Sequence, residues 1–92
     1  MSAAASAAGP ARAPELVVHT RAGCPMCVEA ERAAWRLADR ARVRVVDVDD
    51  DPALARAYGD RVPVVTIDGQ ETLSLLVDEA SLAAALATHR AP

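Results

Sequence analysis

The chain has 92 residues, 52% hydrophobic but only 2% aromatic, and a net charge of −3. That length predicts one domain with a modest core, burying roughly 60–65% of its unfolded surface. Its 10 basic residues, all arginine, are outnumbered by 13 acidic ones, so it lacks the basic face and stacking aromatics that nucleic-acid binding draws on, and no apolar run approaches the roughly 20 residues of a membrane-crossing helix.

In chain order, residues 1–14 (MSAAASAAGPARAP) are small residues interrupted by Gly and Pro. They predict a disordered tail ahead of one domain over residues 15–90. No Leu/Val-rich stretch of the signal-peptide kind occurs there, and the expected location is the cytoplasm. Residues 15–20 (ELVVHT) are a compact β-branched run and predict a strand. Residues 25–41 predict a long helix whose inner face carries Cys27, Ala30, Ala34, Leu37, Ala38 and Ala41 at spacings of three and four. Trp35, the single tryptophan, is expected to pack in the core.

Residues 43–48 (VRVVDV) predict a second strand. Asp51 then suits a helix N-cap, Pro52 the first helical position and Gly59 the stop. The neighbouring Asp47, Asp49 and Asp50 lack the glycine turn and distal glutamate of a calcium loop and read as solvated loop. Residues 63–67 (PVVTI) predict a third strand, Asp68-Gly69 a hairpin turn, and residues 71–77 a fourth strand. Asp78 suits the N-cap of a last helix running to about His89, with Leu82, Ala85 and Leu86 inward. The order β-α-β-α-β-β-α predicts an α/β fold: a four-stranded mixed sheet flanked by helices, its first two strands parallel and its last two antiparallel.

The two cysteines, the only ones in the chain, stand in Cys24-Pro25-Met26-Cys27, between the first strand and the long helix. Cys24 falls at the helix N-cap, where free N–H groups and the positive end of the helix dipole lower a thiol's pKa. Cys27, one turn on, faces the core. Cys24 is therefore the candidate nucleophile and Cys27 the resolving thiol of a redox-active disulfide. As a metal site the motif supplies two of the four ligands of structural zinc, and His19 and His89 are far apart in sequence; no metal is expected. His19, five residues before Cys24, is a candidate tuner of its charge, with a local hydrogen-bond partner as the plainer role.

From Thr20-Arg21-Ala22-Gly23, through Cys24-Pro25-Met26-Cys27 and Arg61-Val62-Pro63, to Asp68-Gly69, the chain resembles the glutaredoxin-like proteins of the thioredoxin superfamily. The resemblance spans residues 15–90. It implies a thioredoxin-like fold, a cis peptide before Pro63 beside Cys24, and pairing of the Val62 backbone with a substrate backbone. It also places Arg21 where the family's glutathione site has a basic residue. Arg21, Pro25, Met26, Val62 and Pro63 are thus the candidate substrate-contacting residues. Met26 stands where glutaredoxins usually carry Tyr. Their glycine pair after the fourth strand, with its following acidic residue, corresponds here to Leu75-Leu76-Val77-Asp78-Glu79.

The reading is a small cytoplasmic thiol–disulfide oxidoreductase that reduces protein or low-molecular-weight disulfides in redox homeostasis and electron transport. It needs no bound cofactor. Glutathione, another small thiol or a reductase is the expected electron donor, and a monomer the expected state. The alternative from another class is a non-enzymatic binding module that presents Met26, Val62 and nearby loops to a partner.

Overall fold

The sheet grows outward from one central strand of the computed structural model, which describes residues 13–89; residues 1–12 of the expected tail, and Arg90, lie outside the described residues. Strand β1 (Glu15–Thr20) pairs in parallel with β2 (Arg42–Asp47), Glu15 opposite Arg42 and Thr20 opposite Asp47. On its other side β1 pairs antiparallel with β3 (Val64–Ile67), which pairs antiparallel with β4 (Gln70–Ser74). The order is β2-β1-β3-β4. Among the described residues three α-helices accompany the sheet: α1 (Pro25–Arg36), α2 (Pro52–Tyr58) and α3 (Glu79–Thr88). The predicted α/β architecture, a four-stranded mixed sheet flanked by helices, is the observed one.

Strand alternation sorts the residues between two faces. Leu16 and Val18 join Val65, Ile67, Val43, Leu82 and Val77 in the core, together with Ala30, Ala33, Ala34 and Leu37. The alanine face of α1 brings that helix close to the sheet. A larger contribution per residue comes from side chains such as Leu16 and Leu82, both fully buried, at about 1.5–3 kcal/mol each. His19 lies on the opposite face, where the ring of Tyr58 at the end of α2 packs 4.8 Å from its own.

Caps and turns follow the predicted chemistry. Asp51 accepts from Ala53 N–H with Pro52 at the first helical position, and Asp78 forms a capping box with Ser81. Asp68 and Gly69 both have positive φ, 51° and 83°, as a two-residue hairpin of this hand requires. Ala13 and Pro14, the last residues of the expected tail, accept hydrogen bonds from Arg42 through their carbonyls.

The structure corrects four expectations. The long helix ends at Arg36 rather than residue 41: Leu37 N–H turns back to Ala34 O and Arg40 N–H to Leu37 O. Twelve helical residues span about 18 Å and the six of β1 about 20 Å, so the chain must turn there to start β2 level with β1. The second strand begins at Arg42, and Val48 opens a short 3-10 turn instead of ending the strand. The fourth strand stops at Ser74 rather than residue 77 because Leu75 adopts φ 69° and donates its N–H to Pro63 O at 2.9 Å. Trp35 is 48% exposed rather than in the core. It is one position off the alanine face of α1, about 100° around the helix, where the sheet does not cover it.

Candidate active site

The dithiol is built by the turn that joins β1 to α1. Gly23, at φ 76°, makes a left-handed bend that a side chain would strain. Cys24 follows in extended conformation as the N-cap, and Pro25 opens the helix at a position where its missing N–H is not needed. The Cys27 N–H then donates to Cys24 Sγ at 3.1 Å. Among the free N–H groups of this helix start, it is the Cys27 one that caps the sulfur. The Cα atoms of Cys24 and Cys27 are 5.2 Å apart, close enough for a disulfide. The two sulfurs differ sharply in access: Cys24 is half-buried, whereas Cys27 is 1% exposed.

Arg21 has partners that no reading of the sequence identified. Its Nε donates to Asp49 Oδ2 at 3.0 Å, its Nη2 to Asp49 Oδ1 at 2.9 Å and its Nη1 to the Gly59 carbonyl at 3.2 Å. The hydrogen bonds and charge of Asp49 raise the Arg21 pKa above its ordinary value. The residue is a strut linking the loop before Cys24 to the 3-10 turn and to the end of α2. Gly59 belongs to the same arrangement. A Cβ there would lie 2.5 Å from Ala55 O and 2.8 Å from Arg21 Nη2, so glycine admits the close approach. The mixed signs of Arg21 and the aspartate cluster were the available signal, but their pairing depends on β1 and β2 lying side by side.

Pro63 is buried, and its peptide bond with Val62 is cis. Beside it, Arg61 forms an ion pair with Glu71 and stacks 5.7 Å from the Tyr58 ring centre. Arg61 holds the Glu71 carboxyl below the usual range. His19 is buried and its Nδ1–H donates to Val64 O at 2.9 Å, a hydrogen-bond partner on the neighbouring strand β3 rather than one local in sequence. Met26, 41% exposed, lines a groove of about 230 Å³ with Glu29, Leu75, Leu76, Val77 and Asp78. The Asp78 carboxylate is engaged by Ser81 N–H at 2.8 Å, and this bond lowers its pKa.

Residues 15–87 match the Glutaredoxin-like domain family (DUF836). This chain belongs to that family. An uncharacterized protein of Mycobacterium tuberculosis strain H37Rv is 35% identical over 81 residues, spanning 80% of this chain and 84% of its own. A structural-genomics target protein from X. campestris superimposes with a TM-score of 0.70 at 33% identity, covering 82% of this chain and 99% of that one. A thioredoxin of Malassezia sympodialis gives a TM-score of 0.63 at 21% identity, over 83% of this chain and 74% of its own, and shares the fold. The glutaredoxin-like fold, with a cysteine pair at disulfide distance, points to a redox role. Among the described residues no helix is long and apolar enough to cross a membrane.

Proposed function

We propose that this glutaredoxin-like protein is a thiol–disulfide oxidoreductase working in the cytoplasm as a monomer without a bound cofactor. The observation that carries the reading is the asymmetry of the dithiol: an accessible Cys24 whose sulfur accepts an N–H bond at a helix start, and a buried Cys27 one turn behind it. Ionisation strengthens that hydrogen bond and is favoured by the helix dipole. The Cys24 thiolate attacks one sulfur of a substrate disulfide. The S–S bond breaks, a Cys24–substrate disulfide forms, and the departing thiolate takes up a proton. The Cys27 thiol then gives up its proton, attacks Cys24 Sγ, forms the Cys24–Cys27 bond and releases the second substrate thiolate. Two electrons have passed to the substrate. A low-molecular-weight thiol such as glutathione, or a dithiol reductase, returns them.

Pro25, Met26, Val62 and Pro63 are the residues proposed to meet the substrate, with the Val62 backbone pairing to it. Arg21 is proposed to act by holding the loop before Cys24, since three of its five N–H donors bond Asp49 and Gly59. The test is trapping. Reduced Cys27→Ser protein, mixed with a peptide disulfide, is expected to gain the mass of one peptide half on Cys24. A stable adduct on Cys27 of the Cys24→Ser protein, with none on Cys24 of the Cys27→Ser protein, would reverse the roles; no adduct on either would defeat the reading.

A further inference from the structure

Two large apolar side chains stand on the surface of a domain that is short of them. Leu75 is 45% exposed and Leu76 is 79% exposed, and the groove they line with Met26 and Val77 has a volume of about 230 Å³. Leu75 also holds a left-handed backbone, φ 69°, which costs a branched residue conformational energy that glycine would avoid. Neither leucine improves the core by standing there.

The groove reaches the dithiol motif through Met26. Met26 belongs to the motif itself, and the Leu75 N–H is bonded to the carbonyl of Pro63. The charge around it is one-sided: its two ionisable lining residues are Glu29 and Asp78, with no cation among the lining side chains. The nearby arginine of the β1–α1 loop, Arg21, is tied to Asp49. An anionic small disulfide such as glutathione disulfide would bring carboxylates to an acidic rim, whereas an apolar side chain on a neutral or basic polypeptide meets leucine, methionine and valine.

We propose that Leu75 and Leu76, with Met26, determine specificity. They seat a large apolar side chain next to the reacting cysteine of a polypeptide disulfide, and the groove disfavours anionic low-molecular-weight disulfides. The proposal rests on the oxidoreductase reading above and names its substrate class.

The experiment is a single turnover, which needs no external donor. Reduced full-length protein is mixed with one of three oxidants: a neutral peptide disulfide with Leu next to Cys, the same peptide with Glu in that place, or glutathione disulfide. Formation of Cys24–Cys27 is followed by quenched alkylation and mass spectrometry. The leucine peptide is expected to oxidise the protein at least about ten-fold faster than the glutamate peptide, a difference of about 1.4 kcal/mol. Leu76→Ser, at an exposed position where folding is not at risk, is expected to remove most of that ratio. Leu76→Lys is expected to shift it toward the glutamate peptide.

An unchanged ratio in Leu76→Ser, or glutathione disulfide outpacing both peptides, would overturn the specificity proposal and leave the redox reading standing. So would a ratio that stays put while Leu76→Ser alters sedimentation, since the leucines would then belong to contact with a second copy. Failure of all three oxidants to oxidise the wild-type protein would overturn the redox reading, and the proposal with it.

Discussion

The thiolate at Cys24 gives the sharpest test of how the fold makes chemistry. The perturbation is a pH titration of the reduced protein, wild type and Cys27→Ser; the serine keeps the backbone N–H that points at Cys24 Sγ at 3.1 Å. Two favourable contributions act on the thiolate. The N-terminal end of a helix supplies about 0.3–1 kcal/mol, and a backbone N–H bonded to a charged acceptor about 1.5–3 kcal/mol, part of which the neutral thiol also receives. Together they favour the thiolate over the thiol and so lower the Cys24 pKa from the reference of about 8.5. Cys24 is then expected to titrate below that reference and to be more ionised at pH 7 than the about 3% of a free cysteine. The assay is the rate of iodoacetamide alkylation against pH, with the labelled residue located by peptide mass spectrometry. Labelling of Cys24 is expected to dominate in the wild type, because Cys27 is 1% exposed, and the Cys27→Ser midpoint should match within a few tenths of a unit. A Cys24 midpoint at or above about 8.5, or faster labelling of Cys27, would refute the account of the helix start as the source of activation.

Other consequences are open to direct measurement. Leu82 is fully buried in the core, so Leu82→Ala is expected to cost about 2–5 kcal/mol in urea unfolding. Trp35→Ala, at a position 48% exposed, should cost clearly less than the roughly 3–5 kcal/mol of a buried tryptophan; a loss in that range would place the ring in the core. Gly59→Ala puts a methyl 2.5 Å from Ala55 O and 2.8 Å from Arg21 Nη2. It is expected to lower the melting temperature and slow Cys24 alkylation by shifting the loop that Arg21 holds, and wild-type values for both would show that the approach is not needed. The Asp68 carboxyl is held below the usual range, first by the Glu15 N–H bond and then by His89. The unfolded chain therefore binds this proton more readily, and the contribution of Asp68 is present above about pH 4 and lost as pH falls through the lowered folded value. Thermal melts of Asp68→Asn should show a shallower loss of stability on acidification than wild type, and identical slopes would remove the linkage.

Local chemistry made much of this molecule legible. Asp51-Pro52 and Asp78 act through hydrogen bonds that reach no more than three residues along the chain, and Asp68-Gly69 through its own positive-φ backbone, so their helix starts and hairpin turn follow from neighbouring residue types. The dithiol at a helix start is legible for the same reason. The ends of elements are harder, since nothing local stops α1 at Arg36 or β4 at Ser74. The first is set by the length of β1 and the second by a bond from Leu75 to Pro63.

The sequence alone therefore determined the order of elements, the mixed sheet and the two cysteines as the centre of the chemistry, because hydrophobic period, capping and motif spacing are short-range properties. Only the tertiary structure decided what the long-range neighbours do. It tied Arg21 to Asp49 across the β1–β2 pairing. It turned Trp35 outward because an alanine face, not a bulky one, fits against the sheet. And it brought Leu75 and Leu76 to the same groove as Met26, an arrangement of residues about fifty positions apart that exists only once α1 and the loop after β4 are folded together.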